Sequence, residues 1–229
     1  MDHPVTLCIA LIWAVSVFFW TGDLESAEEN IDRFILHAET HSLGPYLPVG
    51  RGVKGELAIR RGDARKGVES LQHCLRELHA ARYELLTTTF NISLVQGLAA
   101  IDRTDDAMKL IDETIRMVKV NGDLFYMPEL LRVKGGLMLS MPEANDDDAE
   151  TCFMQSIELS RRQAAPAWEL RSAVDLAALL ASQGRSERAR ALLQPVFSKL
   201  VEGADTADLK AAKSLLAALG DNVFISTQN

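Results

Sequence analysis

The stretch AIRRGDARKGVESLQHC, Ala58 to Cys74, decides the fold: an apolar helix end runs into Gly62-Asp63, and a second helix follows with small or apolar residues at Gly67, Leu71 and Cys74. A helix, a tight turn and a helix cannot bury their own apolar stripe, so the unit predicts neighbours of the same kind. Moving the turn by 40 residues reaches Gly22 (TGDLESAEENI), Asp102 (IDRTDDAMKLI) and then Pro142 (MPEANDDDAETCF), and 42 more reach Gly184 (QGRSERARALL). The fifth position after the turn is Ala27, Gly67, Ala107 and Ala189, with Ala149 filling it after a two-residue insertion. A small residue there lets paired helices approach closely. A fixed period of this size predicts an all-α, right-handed superhelical array of antiparallel helix hairpins. The units fall at about 4–43, 45–81, 83–121, 124–164 and 166–202, with a capping helix over 206–219 and a frayed tail over 221–229.

Apolar residues make up 48% and charged residues 24% of the 229, enough for a folded core, and alternating Val-Ile-Thr runs are absent. One continuous domain is expected, because arrays grow by stacking. The net charge of −8 argues against a general nucleic-acid binder, whose affinity comes from clustered Lys and Arg. Cys8, Cys74 and Cys152 are odd in number, widely spaced and apolar in context, so they read as buried thiols of a reducing, cytoplasmic compartment.

Pro4–Thr21 (PVTLCIALIWAVSVFFWT) carries no charge and touches the length of a membrane span. No Lys or Arg appears before Arg33 to anchor or orient one. Its place one helix before the Gly22 turn predicts a solenoid helix instead. Its apolar girth then predicts either more chain before it or a covering protein surface, and a homodimer through Leu7, Leu11 and Phe18. Asp23 reads as an N-cap for the next helix. Gly44-Pro45 ends that helix and starts another, and Pro195 is expected to bend the second helix of the fifth unit. Asn145–Asp148 reads as a loop and acidic helix start before a helix over 149–163, since it lacks the alternating spacing of a calcium loop. His37 and His41 are four apart but lack the HExxH pattern, so no metal is expected.

With each turn aligned, Gly55, Ala58, Gly62, Gly67, Leu71 and Cys74 fall on the spacing of tetratricopeptide repeats, which the chain resembles at a longer period than their usual ~34 residues. More specifically, YMPELLRVKGGLMLS and the run from AETCFMQSIELS to LKAAKSLL are similar to the C-terminal repeat region of large bacterial regulators. In those proteins a signal-transduction ATPase module precedes the repeats, with a winged helix or an adenylate/guanylate cyclase domain at the front. The chain has no GxxxxGK[ST] and no cyclase aspartate pair, so that catalysis does not transfer.

The first helices of such an array line its concave side. Arg51, Glu56, Arg60, Asn91, Gln96, Glu129, Arg132 and Arg171 fall on or near that lining, with Tyr46, Tyr126 and Trp168 toward its rim. These groups suit a protein or peptide partner, or a small polar effector. No catalytic, metal or cofactor residues are expected, nor contact with nucleic acid or membrane. The expected function is a non-catalytic interaction or sensing module of a signalling regulator. The alternatives are a structural or self-association repeat without ligand and, third, a membrane-tethered repeat protein.

Overall fold

The computed structural model describes residues 3–84, 86–142, 145–200 and 206–226, the last six by their backbone alone. Among them are eleven helices and no strand: α1 (Pro4–Thr21), α2 (Leu24–Thr40), α3 (Tyr46–Arg60), α4 (Ala64–Ala80), α5 (Thr87–Ala100), α6 (Thr104–Asn121), α7 (Met127–Ser140), α8 (Asp146–Arg162), α9 (Pro166–Ser182), α10 (Ser186–Ser198) and α11 (Ala207–Ser226). Contacts divide the chain into two compact units, Met1–Val120 and Asn121–Asn229.

Among the described residues, eight of the eleven helices are followed by a residue in the left-handed region. Gly22, Gly62, Asp102 and Gly184 take it at the turns within hairpins, and Ser42, Arg82, Gly122 and Ala164 at the turns between them. A left-handed residue lets the next backbone N–H reach back to a carbonyl five before it, as Asp63 N does to Ala58 O at 2.9 Å and Arg185 N to Leu180 O at 2.8 Å. Some helices also start on a side-chain cap: Asp23 accepts from Ser26 N at the start of α2, Asp63 from Lys66 N at α4 and Asn145 from Asp148 N at α8.

In the first unit α1 packs on α2, α3 on both α2 and α4, and α5 on both α3 and α4. Ala27, Leu71, Cys74 and Ile111 are fully buried. Backbones come close within the second hairpin, where a Cβ on Gly67 would lie 2.6 Å from the Gly55 carbonyl oxygen. That is backbone against backbone, which only glycine permits.

In the second unit α9 lies against α7, α8, α10 and α11 around one core that includes Phe153, Leu170, Leu176 and Leu193. Each such side chain contributes about 1.5–3 kcal/mol by leaving water. A buried hydroxyl chain crosses this core: Ser156 Oγ donates to the Pro128 carbonyl of α7 at 2.7 Å and shares a 2.7 Å bond with Ser172 Oγ of α9.

Several boundaries differ from expectation. α8 begins at Asp146, three residues early, because Asn145 caps it and the acidic run forms its first turn. α5 begins at Thr87, not Tyr83, after a turn at Leu86. α10 carries Pro195 in its interior and ends at Ser198, before the unit end expected at 202. The stretch from Asp221, expected to fray, continues α11 to Ser226, while 227–229 lie outside the described residues.

Candidate functional site

The repeat places α7, α9 and α11 as successive first helices of the second unit, and their polar side chains meet across the helix boundaries. Glu129 and Arg132 are three apart on α7 and form a two-pronged pair, both bonds 2.8 Å. Arg132 Nη1 also donates to Asp175 Oδ2 on α9 at 2.6 Å. One turn before Asp175, Arg171 donates from Nε to Asp208 Oδ2 of α11 at 2.7 Å and approaches Glu129 Oε1 at 3.6 Å. Carboxylates and guanidinium groups thus alternate across three helices.

The ladder is largely shielded from water, and Glu129 is only 6% exposed. Burial pulls the Arg132 guanidinium down, but the Glu129 bond and the Glu129 and Asp175 charges together hold it higher than an ordinary arginine. Burial pushes the Asp175 carboxyl above the usual carboxylate range and outweighs its pairing with Arg132. Beside the ladder lies an aromatic rim: the Arg171 guanidinium sits 5.2 Å over the Trp168 ring, whose neighbours are Tyr126 at 6.2 Å and then Phe125 edge-on. A pocket of about 490 Å³ opens between α7, α8 and α9, lined by Gly136, Leu139, Asp146, Phe153, Asp175 and Ser182 among others.

Glu129, Arg132, Arg171, Trp168 and Tyr126, expected on the lining and its rim, therefore come together in one patch. Asp175 and Asp208 complete it and were missed. Their partners stand 43 and 37 residues earlier, about one period, and that separation is the signal that could have found them.

The first unit is less concentrated. Glu56 is buried and bonded to Arg60 at 2.8 Å, and the Arg60 guanidinium lies 4.6 Å over Phe19 of α1. Tyr46 sits between Phe34 and Tyr83 with its ring tilted to both, and burial followed by the Tyr46 bond pushes the Tyr83 phenol up to about 12. Arg51 turns to α4, where Nη1 reaches both Glu77 oxygens at 2.8 and 3.2 Å. Asn91 and Gln96 point different ways, as five helical residues require: Asn91 is buried and Gln96 exposed.

Leu11 cannot serve a surface contact. With Cys8, Val15 and Phe19 it forms the buried seam of α1, and Leu7 and Phe18 flank that seam half-buried. The exposed apolar residues of α1 are instead Ile9, Trp13, Val17 and Trp20. The helix is long and apolar enough to cross a membrane by length and composition. All three cysteines are free and buried. Among the described residues no group of three or more His, Cys, Asp or Glu is placed to hold a metal.

No protein-family model and no curated protein sequence matches the chain. Solved structures do. BtubC (BKLC) from P. vanneervenii superposes with a TM-score of 0.61 at 18% identity, over 95% of this chain and 84% of that one. A putative kinesin light chain from Podosopora anserina with nearly identical TPR-like repeats gives 0.57 at 13% identity, over 89% of this chain and 100% of that one. A single-substitution variant of that protein gives 0.58 at 13%, over 88% and 98%. At these identities the likeness shows the fold, a TPR-like array of helix hairpins.

Proposed function

We propose that the chain is a non-catalytic protein-interaction module and that the α7–α9–α11 face of the second unit is its binding wall. TPR-like repeats generally mediate contacts between proteins by offering helix faces to a partner. The observation that carries the reading is the join of a pre-paired ionic ladder to the Tyr126–Trp168 rim. A rigid indole and phenol beside charges already held in place offer contact area at low ordering cost, as interaction hot spots do. The ladder satisfies its own groups, so it presents a fixed pattern and no activated nucleophile or base. A role in a cytoplasmic signalling regulator is supported by the sequence resemblance and the three buried thiols. A separate surface, the outer face of α1, takes the expected self-association.

The test is selection from a random-peptide display library on the full chain. Recovered peptides should lose at least about tenfold in affinity on Trp168→Ala and Arg171→Ala. They should keep it on Arg116→Ala, a change at an exposed position of α6. Peptides indifferent to Trp168 and Arg171 would refute the wall. A small polar effector is the second reading, favoured by the pocket that joins Asp175, Asp146 and Ser182 to an apolar floor. An effector there would lose its stabilisation of the protein on Gly136→Leu, which fills open space.

A further inference from the structure

The outer face of α1 is a single row. Ile9, Trp13, Val17 and Trp20 recur at steps of four, four and three, so they share one side of the helix, away from the seam that Cys8, Leu11, Val15 and Phe19 bury against α2. Trp13 is 57% exposed, and the other three are between 44% and 48%. A row of half-exposed side chains with two indoles is more than the scattered apolar surface of an ordinary monomer.

The order of the row says what fits it. From the N-terminal end it runs aliphatic, indole, aliphatic, indole; in reverse it runs indole, aliphatic, indole, aliphatic. Ile9 and Trp20 are centred between residues 14 and 15, and Trp13 and Val17 on residue 15. A second copy laid antiparallel therefore sets Ile9 against Trp20 and Trp13 against Val17, each indole on a branched aliphatic. In a parallel pair, indole would meet indole at the same height.

We propose that α1 docks on α1 of a second copy, antiparallel, about a two-fold axis passing midway between Trp13 and Val17; this rests on reading the outer face of α1 as the self-association surface. Two further observations favour a copy over other occupants. No charge lies between Pro4 and Thr21, so two chains of net charge −8 meet there without like-charge contact. Helices that lie on lipid carry Lys and Arg on their polar face, and the first basic side chain after α1 is Arg33. The exposed parts of the four side chains supply about 400 Å² per copy, given ~150–250 Å² for a whole aromatic side chain. The pair then buries about 800 Å² in total, below the roughly 1,200 Å² of standard specific interfaces and in the class of weak encounters, so the dimer is a weak one.

The test uses sedimentation equilibrium of the full chain with Trp13→Glu and Val17→Lys. Each substitution alone raises the dimer dissociation constant at least about tenfold, by placing one charge in an apolar contact, and leaves the far-ultraviolet circular dichroism unchanged. An equimolar mixture of the two variants restores the dimer, because only antiparallel pairing brings position 13 of one chain to position 17 of the other. Loss in each variant without restoration overturns the antiparallel register and leaves α1 as the surface. A dimer indifferent to both substitutions overturns the surface itself. A wild-type chain that stays monomeric at high micromolar concentration, or that floats with phosphatidylcholine vesicles instead of pairing, overturns the proposal in favour of a different protein or of lipid.

Discussion

At Gly67 the absence of one methyl group sets the distance between two helices. A Cβ there meets the Gly55 carbonyl, which belongs to helical backbone and has nowhere to move. Gly67→Ala should therefore cost about 1–3 kcal/mol by overpacking, read as a fall in Tm, although alanine is the better helix former. The need for a small residue five places after each turn was legible from the spacing of Ala27, Gly67, Ala107 and Ala189. That position 67 must be glycine was not, because the constraint comes from the backbone of α3 twelve residues earlier. Cys74 shows a similar limit. Its burial was legible from its neighbours, but the thiol also lies beside Phe90 and Gly52, and burial, with Glu77 adding to it, pushes it up to about 12. At pH 8 it should resist iodoacetamide in the native chain and react within minutes in denaturant, which mass spectrometry can follow.

Between elements, charge pairs one repeat apart stitch neighbouring hairpins together. Arg132 neutralises Glu129 on α7 and Asp175 on α9, so Arg132→Ala takes this partner from both carboxylates. The expected cost is about 3 kcal/mol in urea unfolding. Arg132→Lys should recover only part of it, since an ammonium cannot reproduce the fork. At the turn before α10 its N-cap residue Arg185 holds Glu150 of α8 at 2.7 and 3.2 Å, and that bond keeps the Glu150 carboxyl below its ordinary value. The lowered value means that the unfolded chain takes up this proton first. The pair's stabilisation is thus complete above about pH 4.5 and is lost as pH falls through the folded value. Glu150→Gln should lower Tm at pH 7 and flatten its decline on acidification. The candidate wall was half legible for the same geometric reason. Residues counted along first helices fell in the right rows, which brought Glu129, Arg132, Trp168 and Arg171 together. Counting could not tell which way a long side chain leans: Arg51 is drawn to Glu77 of α4, and Gln96 is exposed while Asn91, five residues before it, is buried.

For the chain as a whole, the tryptophans happen to divide between the two compact units: Trp13 and Trp20 lie in the first and Trp168 in the second. Leu176→Ala opens the core of the second unit and should cost about 2–5 kcal/mol. Its effect on the urea midpoint should be larger by Trp168 fluorescence, in a Trp13→Phe/Trp20→Phe background, than by Trp13 and Trp20 fluorescence in a Trp168→Phe background. Equal shifts would mean that the units melt as one. The repeat period made the helix order readable because it needs only local spacing. The division at Val120 left no mark in the sequence, since it depends on contacts made across several hairpins at once. The left-handed residues that close helix after helix carry a consequence for how such a chain can change. One extra residue inside a helix would turn everything up to the next such stop by about 100°, tearing a stripe from its neighbour. An added or deleted hairpin, cut from stop to stop, leaves every surviving stripe aimed as before. Length can therefore vary only in whole steps, and a gain or loss of some forty residues disturbs the structure less than a gain or loss of one.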